Sequence, residues 1–126
     1  MMLTREAFLS ALVVEFPKHE NIEVPGLGMV KVKKLNAGEQ DAFEVANSEA
    51  KAKDFRARMV AHTCINEQGA RLFSDEDIPS LTLFDADVLD PIVEAALRIN
   101  RFTKAEREAL RKNSNGQVEL SSVDSA

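Results

Sequence analysis

The first sixteen residues carry apolar side chains at helical spacing. Thr4 has the side chain of an N-cap, and Pro17 cannot continue a helix, so the pattern predicts a helix from Thr4 to about Phe16. An apolar stripe along one side of a helix is typical of a surface that packs against a core. The stripe comprises Phe8, Leu9, Leu12, Val13 and Phe16.

Strict alternation of apolar and polar residues then occurs on both sides of the segment Pro25–Gly28. Ile22 and Val24 alternate with polar residues before this segment. Val30 and Val32 alternate with lysines after it. A period of two is typical of a strand with one buried face, and Pro and Gly favour a turn. The sequence therefore predicts a β-hairpin with one apolar and one charged face.

Helical spacing returns at Asn36. The pair Asn47–Ser48 weakens a helix in its middle, which leaves open whether this stretch is one long helix or two. Gln68–Gly69 then predicts a turn, which would pair Cys64–Ile65 with Leu72–Phe73 as a very short hairpin. The inward positions of the helical stretch are Phe43, Ala46, Ala50, Phe55, Met59 and Thr63.

Residues 66–81 contain another helix start beside three consecutive carboxylates. Ser74 and Asp77 have the spacing of a capping box, and Phe73 and Ile78 have the spacing of a hydrophobic staple. Pro79 limits this element to about one turn.

The most clearly amphipathic segment ends at Asn100. Its start is left open among Asp85, Asp87 and Asp90, and we place Pro91 in its first turn, where proline is accepted. Apolar residues cover one side of this helix, so we expect it in the core. They are Leu89, Ile92, Val93, Ala96 and Leu97.

A last helix is predicted from Thr103, which can form a capping box with Glu106, to about Lys112. Residues 114–126 are polar and rich in small side chains, which predicts a flexible tail. The whole pattern predicts an α+β, mostly helical fold with an N-terminal helix, a β-hairpin, a bundle of about four helices and a flexible C-terminal tail. Residues 1–113 form a single domain in this prediction.

Composition narrows the classes of function. The chain has 126 residues and a net charge of −5, so bulk attraction to nucleic acid or to anionic membranes is not expected. Cys64 is the single cysteine, which fits a reducing compartment and a core position better than a nucleophile. No apolar run approaches the roughly 20 residues of a membrane span. Glu6 and Glu15 make the start unlike a signal peptide.

Asp75, Glu76 and Asp77 are the strongest metal candidates, and their spacing argues against a metal. A calcium loop of the EF-hand type needs Gly at position 6 and Glu at position 12. Counted from Asp75, these positions hold Ser80 and Ala86, and counting from Asp85 also fails. Acids in a first helical turn interact favourably with the helix dipole, by about 0.3–1 kcal/mol each. The sequence therefore predicts a helix start here, and no metal or cofactor.

No set of catalytic residues stands out in the sequence. His19 and His62 have no second His or Cys at the spacing of metal ligands. His62 and Cys64 are two residues apart on a presumed helix, so they face different ways. Pro25–Gly28 lacks the pattern of a phosphate-binding loop. These observations favour an interaction protein over an enzyme.

Lys31, Lys33 and Lys34 form a short basic run. They could contact nucleic acid, but no aromatic residue interleaves with them, and lysines on a strand face also protect a sheet edge. We favour the solvated strand face. The run keeps a small adaptor or DNA-binding regulatory protein as the alternative function.

Four landmarks occur in a recognisable order: VKVKKL at 30–35, an Arg-containing helix, NEQGARLFSDEDI at 66–78, and LDPIVEAALRIN at 89–100. This order resembles the tail assembly chaperones of long-tailed, lambda-like bacteriophages. The similar stretch runs from about Val30 to Asn113, roughly two thirds of the chain.

The resemblance implies a non-enzymatic protein that binds the tape-measure protein and helps recruit tail-tube (major tail) subunits during tail morphogenesis. It implies a location in the host bacterial cytoplasm and absence from the mature virion. It also implies many working copies, for which self-association is plausible, and often a longer frameshifted form. The contact residues are unknown at this stage, and exposed apolar residues such as Val14 and Phe102 are the reasonable candidates.

Overall fold

The computed structural model describes residues 2–12, 16–101 and 108. About half of these residues are helical, and three strands form one antiparallel sheet. The predicted α+β class is therefore confirmed. The prediction that the fold is mostly helical overstated the helical fraction of the described residues. The elements are α1 (Arg5–Ser10), β1 (His19–Val24), β2 (Gly28–Lys33), α2 (Ala37–Glu49), α3 (Phe55–Thr63), β3 (Cys64–Ile65), α4 (Ile78–Leu81) and α5 (Ala86–Ile99).

The predicted hairpin is present as β1 and β2, with Ile22 opposite Val30. Val24 and Val32 are buried, and Ile22 and Val30 pack against the same core. Gly26 and Gly28 both have positive φ, which the turn requires and which other residues rarely adopt. The alternation therefore identified both the strands and the face that is buried.

The third strand was not predicted as part of this sheet. β3 pairs with β2, with Cys64 opposite Val32, and the strand order is β1-β2-β3. The expected turn also exists, because Ile65 forms an isolated bridge with Arg71 and the Leu72 N–H donates to the Cys64 carbonyl. The two residues of β3 are too few to show a period, so only long-range pairing identifies them as a strand.

The core lies between α5, α3 and the inner face of the sheet, with α5 packed on both β1 and α3. Every predicted inward residue of α5 is buried. The largest fully buried side chains of the core are Phe43, Met59, Leu97, Val32, Val60 and Val93.

The helical stretch that begins at Asn36 is two helices. Asn36 caps α2, because its Oδ1 accepts from the Glu39 N–H at 2.8 Å while Glu39 Oε1 accepts from the Asn36 N–H at 3.0 Å. After α2, Lys51, Ala52 and Asp54 have φ values of 54°, 61° and 60°. A left-handed residue just past a helix end is a common way to stop it, and here it separates α2 from α3.

The N-terminal helix is shorter than predicted. Thr4 caps it as expected, with its Oγ1 accepting from the Ala7 N–H at 3.1 Å. The helix ends at Ser10, and Phe16 lies in a bend rather than in a helix. No residue of α1 is buried, so no packing extends the helix beyond its local capping.

α5 begins at the first of its three candidate caps, Asp85. Pro91 therefore lies inside the helix, and its placement in the first turn was wrong. Proline has no N–H to donate to the Asp87 carbonyl four residues earlier. Because Asp87 is exposed, water can bind that carbonyl.

The end of α5 is fixed by Asn100, which is buried. Its Oδ1 accepts from the Leu35 N–H at 2.7 Å. Its Nδ2 donates to the Ala96 carbonyl at 2.9 Å and to the Lys33 carbonyl at 3.4 Å. One side chain thus joins the last turn of α5 to the chain that leaves β2.

Several predictions for the C-terminal region fall outside the described residues. Of the helix predicted from Thr103 to Lys112, only Glu108 is described, and it is helical. The predicted tail at 114–126 lies wholly outside them, so the domain limits of 1–113 and the tail remain predictions.

We expect Asn100→Ala to lower the free energy of unfolding by about 2 kcal/mol, because it leaves the buried Leu35 N–H without its acceptor. Asn21→Ala is the matched control, since Asn21 is exposed, and its effect should stay within about 0.5 kcal/mol. Urea unfolding followed by circular dichroism measures both, because the chain has no Trp or Tyr for fluorescence. Equal losses in the two variants would contradict the role assigned to Asn100.

Candidate interaction surface

The carboxylates at 75–77 form a 3-10 turn that leads directly into α4. The predicted capping bond is present, because Asp77 Oδ2 accepts from the Ser74 N–H at 2.9 Å. Ile78 is buried and Phe73 packs against the same core, as a hydrophobic staple requires. Among the described residues, no group of three or more His, Cys, Asp and Glu side chains could hold a metal ion.

Asp75 instead contacts two neighbouring side chains, the cationic Arg71 and the titratable His62. Arg71 Nη2 donates to Asp75 Oδ1 at 2.8 Å, and Arg71 Nε donates to the Ala61 carbonyl at 2.9 Å. The hydrogen bond from Arg71 holds the pKa of Asp75 below its usual range, against a smaller opposing effect of burial.

His62 lies against this pair, with Nε2 at 3.4 Å from Asp75 Oδ1. Its ring meets the Phe43 ring edge to face, with centroids 5.5 Å apart. Burial is the main cause that lowers the pKa of His62, Arg71 and Arg58 lower it further, and Asp75 opposes them. These contacts place the imidazole in the packing between α3 and the segment before α4.

The other chemically reactive candidates do not come together. Cys64 is fully buried, and burial raises the pKa of its thiol to about 12, so a thiolate is not available near neutral pH. His19 Nδ1 lies 3.0 Å from the Pro17 carbonyl, and its ring packs against Phe16. The structure therefore does not bring Cys64 and His19 together into one site.

The basic run does not form a patch of free cations. Lys33 is only 7% exposed, and its Nζ lies 2.5 Å from Glu39 Oε2. Lys31 Nζ donates to Asn21 Oδ1 at 3.3 Å, while Lys34 is exposed. Burial tends to raise the pKa of Glu39, but the hydrogen bonds from Lys33 and the Asn36 N–H outweigh it and lower that pKa.

A groove of about 540 Å³ lies between the start of α3 and the α4–α5 connection. We call it the α3–α5 groove. Its apolar wall includes the rings of Phe55 and Phe84 and the side chain of Leu89. The complete lining is Ala52, Asp54, Phe55, Arg56, Ala57, Thr82, Phe84, Ala86 and Leu89.

The connection between α4 and α5 presents two apolar side chains to solvent. Leu83 is 85% exposed, and Phe84, which lines the groove, is 47% exposed. An exposed apolar residue in the lining of a groove is a candidate contact for a partner. Neither residue was singled out from the sequence, because the connection follows no helical or strand period.

The lining of the groove carries one acidic and one basic residue, Asp54 and Arg56. The cation of Arg56 is engaged, since its Nε donates to Asp90 Oδ1 at 2.7 Å. Asp54 lines the groove, and Asp85 and Asp87 are exposed at the start of α5. Lys51 and Lys53 are exposed just before α3, so charges of both signs lie around this groove.

The contact residues suggested from the sequence, Val14 and Phe102, lie outside the described residues. Among the helices that are described, none is long and apolar enough to span a membrane.

Comparisons with family models, with curated proteins and with solved structures find no match to this chain.

We expect Arg71→Gln to raise the pKa of His62, because the variant removes a nearby cation and leaves Asp75 opposite the ring. NMR titration of the imidazole protons measures this, and Arg98→Gln is the control, since Arg98 pairs with Glu20 instead. The pKa of His62 is lower in the folded protein than in the unfolded chain, so protonation favours the unfolded chain. The free energy of unfolding should therefore fall as the pH drops below the ordinary pKa of histidine. An unchanged or lower pKa in Arg71→Gln would contradict this account.

Proposed function

We propose that this protein is a non-enzymatic phage tail assembly chaperone that binds the tape-measure protein and helps recruit tail-tube subunits during tail morphogenesis. The observation that carries the proposal is the α3–α5 groove with the half-exposed ring of Phe84 in its lining, next in the chain to the exposed Leu83. The order of landmarks along the chain, which resembles that family, adds the identity of the partner.

The groove supports a binding mode as well as a partner. Tape-measure proteins of the family are long and helical, and an amphipathic helix binds by placing its apolar face in a groove. Phe84 would contact that face from the lining of the groove, with the exposed Leu83 next to it in the chain. A single groove of this size gives a weak, reversible contact, and many copies along one tape measure would strengthen it by multivalency.

The remaining parts of the proposal rest on the resemblance alone. They are the recruitment of tail-tube subunits, the host bacterial cytoplasm as the location, and absence from the mature virion.

The alternative, a small adaptor or DNA-binding regulatory protein, has less support from the geometry. In the basic run, the buried Lys33 pairs with Glu39 and is not free to bind DNA. The net charge of the chain is −5. Binding to the DNA backbone requires several free cations on one surface, and its affinity would fall steeply with salt.

The test co-expresses this chain with the tape-measure protein of the same phage and measures how much tape-measure protein stays soluble and copurifies. We expect Leu83→Asp and Phe84→Asp each to lower the copurified amount about tenfold, because a carboxylate replaces a buried apolar contact. Val45→Asp is the matched control, since Val45 is an exposed apolar residue on α2, away from the lining of the groove.

Circular dichroism must show that all three variants stay folded. Failure of the unaltered chain to copurify or solubilise the tape measure would reject the proposed function. Equal losses in Val45→Asp and in the two groove variants would reject the groove as the site.

A further inference from the structure

One side of α2 faces away from the core. Phe43 and Asn47 are the buried residues of this helix. The opposite side carries Val45, which is 57% exposed, among carboxylates. A groove of about 510 Å³ lies along this side, which we call the α2 face. It is lined by Asp41, Glu44, Val45, Ser48 and Glu49.

The α2 face is acidic. The helix contains four carboxylates and no lysine or arginine. Glu39 pairs with Lys33, whereas the three carboxylates of the α2 face form no ion pair with any other described residue. Lys51 and Lys53 are exposed beyond the end of the helix, on the far side from its cap at Asn36. A basic segment with apolar residues therefore complements the first three turns of α2.

The helix α5 ends beside the start of α2. Asn100 Oδ1 accepts from the Leu35 N–H, and Asn36, the next residue, caps α2. Arg101 then has a φ of 59°, and its N–H donates to the Arg98 carbonyl at 3.0 Å. A left-handed residue just past a helix end stops the helix and turns the chain. The residues that follow therefore leave the domain from the end at which α2 begins.

Residues 102–112, which we call the basic segment, have the composition that the α2 face requires. They contain four basic residues and two acidic ones, of which Glu106 has the capping-box spacing from Thr103. At helical spacing the apolar residues share one side, and Arg107 and Lys112 flank it. Glu108 is helical and exposed, and its sequence position places it off that side. The apolar residues are Phe102, Ala105, Ala109 and Leu110.

The basic segment also matches α2 in length. A helix over residues 103–112 would be about 15 Å long, and α2 is about 20 Å long. Leu110 lies seven residues after the start of such a helix, and Val45 lies eight residues after the start of α2. Both are therefore about 10–12 Å from the shared end. A helix that runs alongside α2 in the same direction brings Leu110 level with Val45.

We propose that the basic segment forms a helix that docks on the α2 face of the same chain, with Leu110 against Val45 and with Arg107 and Lys112 against the carboxylates. The chain's own segment is the occupant because its link to the domain, Arg101, lies beside the face. A link this short gives an effective concentration of about millimolar or more, so even a weak contact forms. This inference does not depend on the proposed function, because both halves of the contact belong to this chain.

Amide hydrogen exchange of the full chain, resolved by residue with NMR, tests the proposal. We expect the amides of residues 107–112 to exchange about tenfold more slowly in the unaltered chain than in Asp41→Lys/Glu44→Lys, because the charge reversal repels the cations of the segment. Glu23→Lys/Glu67→Lys is the matched control. It makes the same change of charge at two exposed carboxylates outside the α2 face, and it should leave the protection unchanged.

A charge swap separates direct contact from a general loss of helix stability. Arg107→Glu/Lys112→Glu should also lose the protection, and the four substitutions combined should recover part of it, because opposite charges then face each other again. Equal exchange in the unaltered chain and in Asp41→Lys/Glu44→Lys, or no recovery in the combined variant, would overturn the proposal. Protection that rises with protein concentration would assign the contact to a second copy and would overturn it as well.

Discussion

The buried amide of Asn100 is the contact on which the rest of the arrangement depends. It links the last turn of α5 to Leu35 and to the Lys33 carbonyl, and so holds one end of the longest described helix against the exit of β2. A buried amide must satisfy its polar atoms, and the observed placement of α5 brings three backbone partners to this one side chain. Packing of Leu97 and Val93 then holds the helix on the sheet.

That placement determines where the interaction surface forms. With its C-terminal end fixed at the sheet, α5 carries Ala86 and Leu89 to the opposite end of the helix, where they line the α3–α5 groove. The other wall comes from the start of α3, which follows the left-handed residues at Lys51, Ala52 and Asp54. The α3–α5 groove therefore forms where the start of α3 meets the start of α5.

Sequence patterns predicted the elements whose faces are buried. The alternation around Val30 and the stripe along α5 were correct because burial of one face imposes a period on the sequence. The extension of the first helix to Phe16 was wrong because its stripe is not buried by the domain and so carried no information about packing. β3 was missed as a partner of β2 because two residues cannot show a period.

The candidate site was harder to predict than the fold. Asp75 and His62 attracted attention as chemistry-bearing residues, and the structure places Asp75 in an ion pair with Arg71 and His62 in a ring contact with Phe43. Leu83 and Phe84 could not be identified from the sequence, because the pattern around an apolar residue in a connection is the same whether that residue is buried or exposed. Only the tertiary structure distinguishes an exposed apolar pair beside a groove from part of the core.

In the proposed function, the α3–α5 groove receives an apolar helix of the tape measure. Amide hydrogen exchange of the copurified complex, compared with the chain alone, measures whether it does. We expect slower exchange at residues 52–57 and 82–89 in the complex, with little change along the exposed side of α2. If these two segments exchange as fast in the complex as in the free chain, and other segments become protected instead, the groove is not the binding site.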